Sequence, residues 1–426
     1  MVQVIIAAFV CGFTAVTNAQ SLWRQIAQPT TRALLDISFA DRLHGWAVGV
    51  EGTIVRTTDG GGTWTQQYSG VSTAIDRVFM VNARMGWAIT LVPFVDTLTF
   101  YGTRIIRTTN GGATWSKEDF PIVGQYFHTV LFHDTLHGWL GGERGSLFQT
   151  TSGGSQWKRA VAESSSCAFY PILNVQFFSP DFGFAMGGTF DFAGMIWKTT
   201  NAGVKWTAQC ACPEPVWGMH AIDSVNIVGL VGDFDIGSSM IRSSDGGNTW
   251  EYTNLGIFGL PRSLSFRTPY EGWVPTGNRF LVTHDTARTW VIGDTLVGRQ
   301  AIYDAVFTDS LTGFAVTDSG MIFKYDRETT DVKDITRLPS ETQLLPGYPN
   351  PFNPATTIGY RIASTGLITI KVLDILGREV STLANEVQTP GYHEVVWKPE
   401  GISSGLYFCV MHCGSYTGMQ RLTLLK

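Results

Sequence analysis

Thr57-Thr-Asp-Gly-Gly-Gly-Thr-Trp64 and Thr108-Thr-Asn-Gly-Gly-Ala-Thr-Trp115 are two copies of one phrase, and its recurrence decides the fold. Further copies end at Trp157 (TTSGGSQW), Trp206 (TTNAGVKW) and Trp250 (SSDGGNTW), and a worn copy, THDTARTW, ends at Trp290. The tryptophans are spaced by 51, 42, 49, 44 and 40 residues. Upstream of each copy stands a second phrase, Gly-aromatic-apolar. It is seen in Gly45-Trp46-Ala47, Gly86-Trp87-Ala88, Gly138-Trp139-Leu140, Gly183-Phe184-Ala185, Gly272-Trp273-Val274 and Gly313-Phe314-Ala315. In the fifth unit Asn226-Ile227-Val228 takes its place.

Each unit reads as four short strands, predicted in the first unit at residues 35–39, 46–49, 53–57 and 64–68. Such units cannot bury their faces alone and must stack radially, which predicts an all-β propeller. The blade count follows from closure. A seventh strand set at residues 302–325 ends without an outer strand, while Leu22-Trp23-Arg24-Gln25 stands alone, with Trp23 41 residues before Trp64. The sequence therefore predicts seven blades over residues 20–326, the last completed by the N-terminal strand, which leaves no loose sheet edge at the closure.

The recurring phrase has a mechanical reading. The turn between third and fourth strands needs positive φ, supplied by Gly60, Gly61 and Gly62, and Asp59 accepts backbone N–H groups across it. Trp64 then packs between blades, its indole N–H available to a carbonyl. The equivalent structural positions are Asn110 and Trp115, Trp157, Asn201 and Trp206, Asp245 and Trp250, and Asp285 and Trp290.

These phrases resemble the Asp-box (BNR) repeats of sialidases and related glycosidases, and more closely the seven-bladed photosystem II assembly-factor family and its bacterial relatives. The resemblance covers residues 20–326 and implies a fold more than a function. It carries over no active-site residue, because in those families the boxes lie away from the ligand site.

After residue 326 the pattern stops. Residues 327–344 read as a polar linker. Tyr348-Pro349-Asn350-Pro351-Phe352-Asn353-Pro354 follows, then short alternating strands with turns at Gly377-Arg378 and near Gly405, ending in Arg-Leu-Thr-Leu-Leu-Lys426. This pattern predicts a small β-sandwich. YPNPFNPATTIGY, VLDILGREV, GYHEVVW, SGLYFCV and RLTLLK together resemble the type A C-terminal sorting domain of the type IX (Por) secretion system, over residues 345–426. The resemblance implies recognition by that machinery, transit through the periplasm, and release or attachment at the cell surface.

Composition agrees with export. Residues 1–19 are apolar with small residues near Ala19, as in a signal peptide. The positive n-region is missing, which leaves open a start upstream of Met1, and Val10 before Cys11 argues against a lipid anchor. No later stretch is long and apolar enough for a membrane span, so the mature protein is expected to have no transmembrane segment. A net charge of -5 argues against a nucleic-acid partner. Cys167, Cys210, Cys212, Cys409 and Cys413 lack paired metal spacing, and in an oxidising compartment Cys167 has Cys210 or Cys212 as disulfide partners.

No catalytic residues, metal ligands or cofactor stand out: HExxH, Walker A, GxSxG and dinucleotide fingerprints are missing. His133 and His137 invite a metal reading, but His137-Gly138-Trp139 repeats His44-Gly45-Trp46 and is better read as a surface turn. The long insertions fall on one face, opposite the boxes. They carry Tyr101, Tyr126, Tyr170, Phe192, Trp217, Phe234 and Phe258, a rim suited to a protein segment or a glycan. The leading expectation is a non-enzymatic binding propeller. A surface glycoside hydrolase using loop carboxylates (Asp96, Asp119, Asp191, Asp233, Asp235) is the alternative, and an assembly-factor-like chaperone of an envelope complex a third.

Overall fold

The computed structural model describes residues 22–93, 100–162, 169–295, 300–326, 342–348, 350, 352, 355–399 and 401–424. The expected signal peptide and nearly all of the expected linker lie outside these residues. The first unit forms strands Leu34–Phe39, Gly45–Gly49, Thr53–Thr57 and Thr65–Tyr68, within one residue of the expected bounds. The described residues between Trp23 and Asp326 build seven sheets. We number them as blades 1 to 7 from the sheet containing Leu34–Phe39. Six have four strands. Blade 4 adds a fifth, in which Val161–Ala162 pairs in parallel with Lys205–Cys212.

Trp23–Ala27 is the outer strand of blade 7, with Trp23 opposite Tyr325 and Arg24 opposite Lys324. Seven hydrophobic clusters each join one blade to the next, including blade 7 to blade 1 through Phe314, Val316, Leu34 and Ile37. The ring is closed by packing as well as by hydrogen bonds. Trp23 is 1% exposed and lies edge-on to Phe307 of its own blade and Trp273 of blade 6. Trp64 meets Phe39 and Phe314 in the same way. Trp23 therefore holds the place of a box tryptophan.

Blade 7 takes its fourth strand from the N-terminus, so no box turn precedes that strand. A buried ion pair occupies this seam. Arg267 and Glu271, 9% and 5% exposed, pair with each other, and Glu271 Oε1 accepts the Trp273 indole N–H at 2.9 Å. Arg267 also donates to the Ser310 carbonyl of blade 7. Each partner is desolvated, so removing either leaves an uncompensated charge.

The innermost strands are laced by polar side chains across the seams. Asp304 accepts the Ile37 N–H (3.2 Å), Asp36 the Val78 N–H (2.8 Å), Gln176 the Met219 N–H (2.7 Å) and Ser263 the Ala305 N–H (3.2 Å). Burial, reinforced by the charge of Asp304 and opposed by Arg77, pushes the Asp36 carboxyl up to about 7. These polar residues occupy buried or half-buried sites because they satisfy neighbouring backbone groups.

The C-terminal domain is a sandwich of two sheets. One contains Gln343–Tyr348, Thr356–Ile362 and Gly391–Trp397, and the other Glu379–Gln388, Gly366–Leu373, Gly405–Cys413 and Tyr416–Leu424. Ile358, Tyr360 and Trp397 of the first pack on Ile370, Val372, Met411 and Leu422 of the second.

Replacing Trp23 with Ala should cost about 3–5 kcal/mol of stability, as for other buried tryptophans. Denaturant titration of the mature protein measures this. A loss below about 1 kcal/mol would count against ring closure by the N-terminal strand.

Candidate binding rim and sorting domain

The turns at the two ends of the blades have opposite characters. On one end each box turn is fixed to the turn between the first two strands of its blade. Gly60 donates its N–H to Leu43 O (3.0 Å), Gly111 to Arg84 O (2.7 Å), Gly153 to Leu136 O (2.9 Å) and Gly246 to Val225 O (2.9 Å). Asp59 Oδ1 accepts the Thr63 N–H (2.9 Å), and its Oδ2 the Thr63 hydroxyl (2.7 Å). Asn110, Asn201, Asp245 and Asp285 accept the N–H four residues on in the same way. Ser152 substitutes its hydroxyl in the third copy.

Three details differ from expectation. Gly60 and Gly61 take positive φ (66° and 86°), while Gly62 is not among the positive-φ residues because two left-handed positions complete the turn. A buried hydroxyl two residues before the acid anchors each box: Thr57, Thr108, Thr150, Thr199, Ser243 and Thr283 accept the N–H four residues on at 2.7–3.1 Å. That repeating hydroxyl was visible in the sequence as the first letter of every box. The third detail is the indole. The Nε1 atoms of Trp64, Trp115, Trp157, Trp250 and Trp290 are buried without a hydrogen-bond partner. The indoles that reach carbonyls across a seam are those of the second phrase: Trp46 donates to Gly111 O and Trp87 to Gly153 O, both at 3.2 Å. Of the box tryptophans, Trp206 donates to Gly203 O of its own box (3.0 Å), whereas Trp64 and Trp250 lie against the apolar rings of Phe314 and Phe184, which accept no such bond.

The histidine pair belongs to turns. Asp134 Oδ1 accepts the N–H groups of Leu136 and His137, and Asp134 Oδ2 meets His137 Nδ1 at 2.8 Å. Asp41 and His44 repeat the arrangement in blade 1.

The opposite end carries the aromatic rim. Several expected loops are strand extensions here. Gly183–Thr189 and Ala193–Thr199 close on Phe190-Asp191-Phe192, and Ile227–Asp233 and Gly237–Ser243 close on Phe234-Asp235-Ile236. These tight hairpins of blades 4 and 5 push rings outward. Phe192, Phe234 and Phe258 are 74%, 68% and 75% exposed. Phe190, another aromatic carried by these insertions, joins the set: its ring lies 5.9 Å from Trp217 and 5.3 Å from Phe234. Trp217 is held by its N–H to Gly232 O at 2.8 Å. Backbone of Phe258 runs against Gly237, so a side chain at that glycine would clash. Tyr126 and Tyr170 are half-buried, and Tyr170 packs on the blade 3–blade 4 core. The side chain of Tyr101 lies outside the described residues.

Two carboxylates lie buried at this end, Asp233 in the blade 5 hairpin and Glu214 in the connection entering blade 5, each 1% exposed. Asp233 Oδ1 caps the N–H groups of Asp235 and Ile236, and Glu214 Oε1 accepts the Tyr252 hydroxyl at 2.7 Å. Burial and then the Asp233 charge raise the Glu214 carboxyl above the usual range, against the Tyr252 bond. Glu214 escaped sequence reading because only strand register brings it near Asp233. Asp119 is bound to Arg104, and Asp191 sits at positive φ in its turn. Asp96 lies outside the described residues. Among the described residues no group of three or more His, Cys, Asp or Glu is placed to hold a metal, and no disulfide is formed. Cys167 lies outside them, so its expected pairing has no structural account. No helix among them is long and apolar enough to cross a membrane.

In the sandwich, Asn350 and Phe352 fasten the start of the domain to its last strand. Asn350 donates to Arg421 O (2.7 Å) and accepts the Thr423 N–H (2.8 Å), while Phe352 donates its N–H to Thr423 O (2.9 Å). The Phe352 ring is buried beside Trp397. Gly377 takes φ 76° in a turn whose Asp374 binds the Arg378 backbone and guanidinium. Gly405 opens a strand. Pro349, Pro351, Asn353, Pro354 and Lys426 lie outside the described residues.

Two families match this chain. Residues 15–121 match the Photosynthesis system II assembly factor YCF48 family, and residues 347–424 match the Secretion system C-terminal sorting domain family. The photosystem II assembly lipoprotein Ycf48 of Nostoc is 24% identical over 72% of this chain and 87% of that protein. The Ycf48 of Thermosynechococcus vestitus is 57% identical, but over only 10% of this chain and 12% of its own length. Among solved structures, YCF48 bound to a D1 peptide superposes with a TM-score of 0.57 at 22% identity, covering 72% of this chain and 98% of that one. The GH74 enzyme of Niastella koreensis gives 0.56 at 13% identity, over 80% of this chain and 59% of that enzyme's chain. At such identities the likeness shows a shared fold.

The boxes carry a pH dependence. The Thr63 N–H and hydroxyl hold the Asp59 carboxyl down to about 2. The Thr249 hydroxyl and N–H hold Asp245 well below the usual range. At Asp285 burial pushes upward but is outweighed by the Thr289 hydroxyl and N–H. A depressed carboxyl stabilises the fold fully above its unfolded value of 3.8, and that contribution is lost as pH falls towards the folded value. The triple change Asp59→Asn, Asp245→Asn, Asp285→Asn should therefore flatten the fall of the thermal midpoint between about pH 4 and pH 2. An unchanged slope would refute the assignment.

Proposed function

From the premise that a Ycf48-like propeller here precedes a type IX secretion sorting domain, we propose an exported, non-enzymatic binding protein that recognises its partner with the rim of blades 4 and 5. The observation that carries this reading is the exposed set Phe190, Phe192, Phe234 and Phe258 around the anchored ring of Trp217. Soluble proteins rarely leave so many large rings together in water without a use. Aromatic anchors in this setting suit a segment of a partner protein, or the apolar face of a glycan. One Ycf48 structure contains a bound peptide, which supports the polypeptide version by analogy.

The sorting domain gives the route. It directs the propeller through the type IX machinery, after periplasmic transit, to the cell surface or the medium. Deleting residues 345–426 should hold the propeller in the periplasm, read by fractionation and surface proteolysis. Normal secretion of the shortened chain would overturn the route.

A partner is best sought by pull-down of the surface-exposed protein from its native cells. The triple change Phe192→Ala, Trp217→Ala, Phe234→Ala should then weaken that partner at least about tenfold. Unchanged affinity in a folded variant would remove the rim from the reading. The Glu214 and Asp233 pair favours a second reading, glycoside hydrolysis, since a buried carboxyl of raised pKa suits a general acid. Turnover on a glycan panel that disappears in Glu214→Gln would favour the enzyme; no turnover on any glycan would leave binding alone.

A further inference from the structure

We propose that Glu214 and Asp233, at the rim end of blade 5, hold a calcium ion between their carboxylates. Strand register brings the two together. Val216 pairs with Val231, and Gly232 donates its N–H to Pro215 O at 3.3 Å. The next step along both segments sets Glu214 beside Asp233. The charge of Asp233 is accordingly felt at the Glu214 carboxyl.

The same step in other blades shows what the register itself requires. In blade 1 Leu34 pairs with Gly49, and Val50 donates its N–H to Ala33 O at 3.0 Å, which leads to Arg32 and Glu51. There the two places carry opposite charges, and Arg32 Nε donates to Glu51 Oε2 at 2.8 Å. In blade 4 Ile172 pairs with Gly187, and Gly188 donates its N–H to Pro171 O at 2.9 Å. That leads to Tyr170 and Thr189, neither of them a charged partner for the other. Of these three blades only blade 5 sets two carboxylates side by side, an arrangement that the fold does not ask for and that like-charge repulsion opposes.

Burial sharpens the conflict. Glu214 and Asp233 are each 1% exposed, whereas the side chains of Arg32 and Glu51 are 43% and 62% exposed. Each buried carboxylate engages one oxygen with the protein. Glu214 Oε1 accepts the Tyr252 hydroxyl at 2.7 Å, and Asp233 Oδ1 accepts the N–H groups of Asp235 and Ile236 at 3.0 and 2.7 Å. The second oxygen of each, Glu214 Oε2 and Asp233 Oδ2, is buried without a hydrogen-bond partner. Among the described residues no lysine, arginine or histidine is paired with either carboxylate. Buried charges are paired or coordinate metals, and here the partner that blade 1 supplies as a guanidinium is missing from the chain.

The donors select the ion. Two carboxylates stand beside the hydroxyls of Tyr252 and Ser239, which lie 3.0 Å apart. The Cys212 thiol of blade 4 is engaged, donating to the Glu214 carbonyl at 3.2 Å. An all-oxygen set suits calcium, which tolerates irregular geometry and completes its shell with water and backbone carbonyls. Magnesium demands a near-ideal octahedron, and zinc favours nitrogen and sulfur. Export suits a weak site, for extracellular modules bind calcium with a Kd of about 10⁻⁴–10⁻³ M. The ion would tie the connection entering blade 5 to that blade's hairpin, the two segments that carry Trp217 and Phe234. The inference does not depend on what the rim binds, and an ion held there keeps Glu214 ionised, which is incompatible with its use as a general acid.

The test uses the mature full-length protein stripped with EGTA. Calcium at about ten times its Kd should raise the thermal midpoint by about 2–4 °C, and magnesium at the same concentration should raise it less. Terbium, a luminescent substitute for calcium, should bind, be sensitised through Tyr252 and be displaced by calcium. Glu214→Gln and Asp233→Asn keep the shape and remove one charge. Each should weaken ion binding at least about tenfold. In EGTA each should hold or raise the midpoint, because the repulsion is relieved. Asp235→Asn removes an exposed carboxylate of the same hairpin and should leave ion binding unchanged. A midpoint blind to calcium overturns the proposal, as does terbium binding that survives Glu214→Gln or Asp233→Asn in a folded variant. Binding lost in Asp235→Asn would place the ion on the surface and overturn the site, and an equal response to magnesium would overturn the choice of calcium.

Discussion

At five of the seven seams between the described blades, a ring from one blade is pressed against the box turn of the next, and the propeller depends on that contact. A Cβ on Gly203 would come within 2.6 Å of the Trp139 indole, so glycine is required both by φ and by close approach. The neighbouring strand ladders are local, but this contact joins residues about one blade apart in sequence. It converts seven marginal sheets into one closed solid. Trp23 keeps the box-tryptophan place where the propeller closes, edge-on to Trp273 of blade 6.

Polar groups complete what the rings begin. Asp36, Gln176, Ser263 and Asp304 point from inner strands to backbone N–H groups of the adjoining blade, where an apolar residue would leave donors unmet. At the seam that has no box, Arg267 and Glu271 perform both tasks, accepting an indole proton and bridging to the next blade. A closed ring tolerates substitution at one seam when another contact of the same reach replaces it.

The sequence was most readable where one physical demand recurs. Box glycines, box acids and the orphan Trp23 strand were legible because each repeats at blade spacing, and the sandwich because its turns and alternation are dense. The hydroxyl at Thr57 and its equivalents also repeats, yet its role emerges only when Gly61 is seen donating to it. Glu214 was not legible. Its neighbour Asp233 comes near through hairpin and connection lengths that strand periodicity alone does not set. The expected indole-to-carbonyl bond forms at the box tryptophan Trp206 but not at Trp64, where Trp46 of the second phrase reaches a carbonyl instead, because either tryptophan of a unit satisfies the same sequence pattern.

The two ends of the blades divide stability from recognition. Box turns cannot lengthen without losing their bonds to the neighbouring turn, so that end is held to the repeat. The hairpins at the other end meet no such turn, and in blades 4 and 5 they extend until Phe192 and Phe234 stand in water. Exposure of such rings costs about 1.5–3 kcal/mol each relative to burial. The ladder beneath them offsets that cost only while the ring as a whole stays closed. Recognition at the rim therefore draws on the same seam packing that fixes the boxes, and weakening one seam should loosen the rim before it opens the propeller.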